Sequence, residues 1–173
     1  MGKEKTTESR QRAAVKEYLQ QYHAARRIKK ILEDRHRVLL SELNSPGPGS
    51  AFRPTPPTHT GKKDGAVSVV FRIAEVEERI EAQRDEMTKA VLRVMDLIDL
   101  LPQNSMERTV VELRHIDCKG WDQIAREVYM SRSAVFNYYN AAMDILLGYK
   151  RTQKLVEEYN GQMGTEEKKI NAP

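Results

Sequence analysis

The stretch Trp121-Asp-Gln-Ile-Ala-Arg-Glu-Val-Tyr-Met-Ser-Arg-Ser-Ala-Val-Phe-Asn-Tyr-Tyr-Asn140 has the pattern of two helices meeting at a tight corner. Ile124, Ala125 and Val128 form the inner face of a short first helix, with small Ala125 where another helix crosses closely. Tyr129 and Met130 break the periodicity, and Met130 is placed as a buried plug. Ser131 offers an N-cap hydroxyl to the second helix, whose Val135, Tyr138 and Ala142 recur at helical spacing. That spacing turns Tyr138 inward and leaves Phe136 and Tyr139 on outer faces. Trp121, the only tryptophan, is expected to pack between the preceding helix and the first helix of the corner. A corner of this kind exposes its second helix, which fits a DNA major groove. The plainer alternative is a helical corner inside a bundle.

Over residues 101–147 the chain resembles region 4 of bacterial sigma factors. Leu101-Pro102 and the run from Met106 to Arg114 look like that region's opening helix. Its Leu-Glu-Glu-Val-Gly run lies without a gap over Trp121-Asp122-Gln123-Ile124-Ala125, and its Thr-Arg cap pair lies over Ser131-Arg132. The apolar tail continues through Ala142, Met143 and Leu146. Nothing in the chain resembles a sigma promoter-melting segment. With two long charged helices and a Pro-rich linker ahead of this end, the whole plan resembles small phage and prophage proteins of Gram-positive bacteria related to the ArpU and RinA late transcription regulators. The resemblance implies a regulator, an activator of phage or prophage late genes in the cytoplasm of a bacterial host, and not a complete sigma factor.

The recognition helix departs from the sigma pattern. Where the family is rich in Arg, Glu and Gln, this chain has Arg132, Ser133, Ala134, Phe136 and Asn137, and only Arg132 keeps the family's residue. The sigma promoter element therefore does not carry over as a target. The chemistry for readout is still present: Arg pairs bidentately with guanine and Asn with adenine. Arg132, Ser133 and Asn137 are expected at base edges, with Arg126 and Ser131 positioned on phosphates.

The 173 residues carry 31% charged and 39% hydrophobic side chains but only 6% aromatic ones, which suits helices burying one stripe each. We expect an all-α chain, with no membrane span, no secretory signal and, from the single Cys118, a reducing compartment. The net charge is +4 and the sequence pI is about 9.1. Residues 1–43 carry 11 Lys/Arg against 6 Asp/Glu, whereas residues 103–148 carry 5 against 6. The expected DNA-binding end is thus the less basic one, so affinity needs a second copy, the N-terminal helix or RNA polymerase.

Five segments follow from the chain. Residues 1–43 form a basic helix with Tyr18, Tyr22, Ala25, Ile28, Leu32, Leu39 and Leu43 on a stripe. Residues 44–65 are a flexible, disordered Pro/Gly-rich linker. Residues 66–101 form a second long, coiled-coil-like helix with Ile73, Ile80, Met87, Val94 and Leu101 at steps of seven, interrupted beside them by Glu77 and Arg84. The two long helices can pair within one chain or with another copy as a homodimer. Residues 102–148 hold the helix-turn-helix, opened by a capping box from Asn104 to Glu107, and residues 149–173 a fraying charged tail.

Enzymatic motifs are absent: the chain has no Gly-rich phosphate loop, nucleophile elbow or His-Glu-x-x-His pattern. His115 and Cys118 stand at helical spacing, but zinc takes about four ligands. No enzyme, cofactor or metal is expected. Partners expected are double-stranded DNA and host RNA polymerase. Two alternatives stand beside regulation: a small-terminase-like DNA packaging adaptor, and a helical adaptor that binds RNA polymerase without reading DNA.

Overall fold

The computed structural model describes residues 2–44 and 63–170, with side chains over residues 9–44 and 67–161. The linker expected over 44–65 lies outside the described residues except at its two ends. Six helices follow in order: α1 (Gly2–Asn44), α2 (Lys63–Ile98), α3 (Met106–His115), α4 (Trp121–Glu127), α5 (Arg132–Leu147) and α6 (Lys150–Ile170). Among the described residues there is no strand, and the chain is all-α. No helix among them is long and apolar enough to cross a membrane.

The chain forms two compact units, residues 1–24 with 88–173, and residues 25–87. The second is a helical hairpin within one chain. Among the described residues, Ala25, Leu32 and Leu39 of α1 and Ile73 and Ile80 of α2 are its buried hydrophobic ones. Gln83 Nε2 donates to the Ala25 carbonyl at 3.1 Å, and His36 Nε2 lies 2.9 Å from Glu77 Oε1. The polar break at Glu77 in the α2 stripe thus has a partner across the hairpin. Ile28 and Leu43, expected on the buried α1 stripe, are exposed instead, because the stripe that meets α2 steps from Ala25 to Leu32 to Leu39.

The first unit holds the helix-turn-helix, which is no free-standing module. Its core joins Val110 and Val111 of α3, Ile124 and Ala125 of α4, and Val135, Ala142, Met143 and Leu146 of α5. Val15, Tyr18 and Leu19 of α1, Val94, Leu97 and Ile98 of α2, and Val156 of α6 complete it. Hydrogen bonds fix the outer helices in place: Tyr18 Oη donates to the Arg93 carbonyl at 3.3 Å, and Arg93 Nη1 to Gln21 Oε1 at 3.0 Å. The core thus extends across the boundary expected at residue 102, since short helices gain little by burying their apolar faces alone.

Two further expectations are corrected. The cap of α3 is Ser105, whose Oγ accepts from the Arg108 amide at 3.1 Å. Asn104 takes a left-handed φ of 61° to reverse the chain after Pro102, a conformation Asn tolerates well. The tail expected to fray from residue 149 is helical through α6, because Thr152, Val156 and Tyr159 share a stripe. Val156 is buried, and the Tyr159 ring meets Tyr18 edge-on with centroids 5.4 Å apart.

The most polar part of this core is His115, whose Nε2 shares a hydrogen bond with Tyr139 Oη at 3.1 Å. Burial pulls the His115 pKa from 6.5 down to about 3, with nearby His23 and Arg114 opposing a positive charge as well. In the unfolded chain the imidazole takes its proton near its ordinary pKa, so between these values the unfolded state binds more protons than the folded one. The contribution is complete above about pH 6.5 and falls with acidification at about 1.4 kcal/mol per pH unit. Thermal melts between about pH 7 and pH 4 should show Tm dropping through this window, and His115→Leu should flatten the slope.

Candidate nucleic-acid interface

Helix α4 is short because its end is forced. The amides of Val128, Tyr129 and Met130 donate to the carbonyls of Ile124 at 2.9 Å, Arg126 at 3.3 Å and Ala125 at 2.9 Å. Tyr129 takes a left-handed φ of 54°, which turns the chain out of α4 and into the next helix. Ser131, extended at ψ 151°, then caps α5, its Oγ accepting from the Ala134 amide at 3.2 Å. The local chemistry of the corner is thus the one its sequence implies: a four-residue turn and a hydroxyl cap. Met130, expected as a buried plug, is only half-buried, and Val128 likewise.

Helix α5 buries Val135, Tyr139, Ala142, Met143 and Leu146. Tyr139 was expected outside and Tyr138 inside, and the structure reverses the emphasis. Tyr139 is buried against His115 and Trp121, with ring centroids 5.8 and 5.0 Å away, while Tyr138 is half-buried. Burial lifts the Tyr139 hydroxyl to a pKa of about 12, so it stays a neutral hydrogen-bonding group. The reason lies in width. The α5 stripe has to meet α3 as well as α4, and this moves its centre toward residue 139.

What remains outside is the row Ser133, Asn137 and Asn140, at steps of four and three residues, with Arg132 beside it at the helix start; all four are exposed. Of the five residues singled out from sequence, Arg132, Ser133 and Asn137 thus share the outer side of the first two turns of α5. Ser131 sits at the N-terminal end of the helix and Arg126 in the last turn of α4, both exposed. The Ser131 oxygen is engaged as a cap, leaving its O–H to donate outward. Asn140 was missed, although its spacing from Ser133 and Asn137 was legible. Tyr129 was also missed: it is 95% exposed, beside the start of α5.

Arg132 is held from two sides. Its Nη1 lies 3.4 Å from Asp122 Oδ1 on α4, and its guanidinium lies 5.7 Å from the centre of the Phe136 ring. Phe136 in turn meets Trp121 at 4.5 Å, and the Arg114 guanidinium covers the other aromatic partner at 4.7 Å from its centre. Trp121 therefore bridges α3 and α5, where it was expected between α3 and α4. The acids around this end are paired: Lys119 Nζ lies 2.7 Å from Glu127 Oε1 and 3.2 Å from Asp117 Oδ2, and Arg12 of α1 pairs with Asp144. His115 and Cys118 converge on nothing. His115 is turned to Tyr139, and Cys118, at a left-handed φ of 58°, directs its thiol at the Ile116 carbonyl. Among the described residues no three His, Cys, Asp or Glu side chains form a group that could hold a metal ion.

Residues 57–146 match a family described as Protein of unknown function, DUF1492. The chain belongs to this family. The matched span takes in α2, α3, α4 and nearly all of α5, so in DUF1492 terms the long helix and the helix-turn-helix come as one piece. No curated protein and no solved structure matches the chain.

A tyrosine in the left-handed region costs about 1 kcal/mol relative to glycine, and at this exposure its ring gains almost no burial in return. Tyr129→Gly should therefore raise unfolding stability by about 1 kcal/mol in urea titration. An unchanged midpoint would mean that the turn carries no strain.

Proposed function

We propose that this protein is a sequence-specific DNA-binding regulator of transcription, acting on phage or prophage late genes as an activator in the cytoplasm of a bacterial host. One observation carries the DNA reading: the outer side of α5, capped by Ser131 and anchored by Val135, presents Arg132, Ser133, Asn137 and Asn140 together. Side chains of this length and chemistry at the start of an exposed helix suit base edges in the major groove. Ser131, Arg126 and Tyr129 flank them with donors for phosphate oxygens. The phage assignment and the activating sign rest on the resemblance to the ArpU and RinA regulators alone.

A second reading keeps one observation in its favour. Residues 103–148 carry no positive excess, which suits an adaptor that docks on RNA polymerase and makes few phosphate contacts. The two readings differ in what Arg132 and Asn137 do. Purified protein mixed with a fragment library of its source genome should retain one or a few sites. Arg132→Ala/Asn137→Ala should lose that enrichment by about tenfold or more, each lost base contact being worth about 1–3 kcal/mol. Equal retention by wild type and variant would remove the major-groove reading and favour the adaptor.

A further inference from the structure

The hairpin of residues 25–87 covers one stripe of each helix and leaves a neighbouring stripe open. On α1, Ile28, Ile31, Arg35, Val38 and Glu42 follow one another at steps of three and four residues. Ile28 is 48%, Ile31 42% and Val38 58% exposed. On α2, Val69, Arg72, Val76 and Arg79 repeat at the same steps. The two stripes border a groove of about 550 Å³, with Ile31, Val38 and Val76 as its apolar lining. Two of the acids at its edge are paired within the chain: Arg72 Nη1 lies 3.8 Å from Glu42 Oε2, and Arg79 Nη2 lies 2.6 Å from Glu75 Oε1. A groove of this form accepts the apolar ridge of another helix.

The charge of the two helices says whose helix. Residues 25–44 carry six Lys/Arg and three Asp/Glu, whereas residues 67–87 carry three Lys/Arg and six Asp/Glu. A partner helix of either single sign would meet one attractive and one repulsive neighbour. A second copy turned about a twofold axis parallel to the helices meets neither problem, because it lays basic α1 against acidic α2 at both contacts.

We propose that two copies of this chain pair groove to groove through residues 25–44 and 67–87, forming a four-helix bundle in which Ile31 and Val38 of each copy are covered by the other. Each segment spans about three heptads, enough for a knobs-into-holes interface. The pairing stands apart from DNA recognition and is measured without DNA.

Light scattering on the eluting full-length protein at micromolar concentration should give twice the 19.9 kDa chain mass. Ile31→Glu/Val38→Glu should return it to a single chain with helicity by circular dichroism unchanged. Val38→Glu alone, at the more exposed position, gives the same reading should the double change disturb the hairpin. Phe71→Ser, which removes a 72% exposed ring outside the groove, should leave the dimer intact. A wild-type monomer, a trimer or larger ring, a dimer that persists in Val38→Glu, or dissociation by Phe71→Ser would each overturn the proposal.

Discussion

Tyr139 meets His115 inside the core, and the rotation of α5 follows from burying that ring together with Val135, Ala142, Met143 and Leu146. A helix has one rotation. Once these five positions face inward, Ser133, Asn137 and Asn140 face out, and Phe136 lies at the boundary where it can reach Trp121. The stack from Arg114 through Trp121 and Phe136 to Arg132 then follows from the same constraint, with successive groups 4.7, 4.5 and 5.7 Å apart. What the exposed side offers to a ligand is thus decided by contacts that the ligand never touches. A neutral His115 is part of this, because a charged imidazole would have to be solvated and the ring beside it released.

The same core explains why the first half of α1 and the end of α2 are needed. The helix-turn-helix has α3, α4 and α5 of 10, 7 and 16 residues, too little apolar surface to stand alone. Leu19, fully buried, comes from about ninety residues earlier in the chain than Val111, which is equally buried. Contacts of such separation carry a loop-closure cost before they return any stability. The hairpin of residues 25–87 lies between these segments in sequence.

Local chemistry was readable in the sequence and non-local packing was not. The corner, its short turn and the Ser131 cap depend on residues within a few positions of each other, and each could be placed from the sequence alone. The positions of Tyr138 and Tyr139 differ by about 100° around the helix, and which one is buried depends on α3, whose direction no local pattern encodes. Asn104 and Ser105 are both good caps, and only the left-handed turn at Asn104 decides between them. The apolar stripe of α6 is sparse, Val156 and Tyr159 among many charges, and it looks like a tail until Tyr18 is seen beside it.

Electrostatics sets the terms on which such a surface can bind DNA. The unit holding α5, residues 1–24 with 88–173, carries 17 Lys/Arg and 15 Asp/Glu, so it attracts phosphates weakly as a whole. Pairing Glu127 and Asp117 with Lys119, and Asp144 with Arg12, removes local repulsion without adding attraction. Discrimination then has to come from base contacts. For Arg132 the exchange would be favourable on the proposed reading: an exposed ion pair like that with Asp122 is worth about 0–1 kcal/mol, whereas a bidentate contact with guanine discriminates by about 1–3 kcal/mol. On the proposed reading, the pair at 3.4 Å keeps the guanidinium near the helix start and would yield it to the right base. Against a wrong base nothing would repay the break, so on that reading Asp122 would favour sequence selectivity at the expense of non-specific affinity.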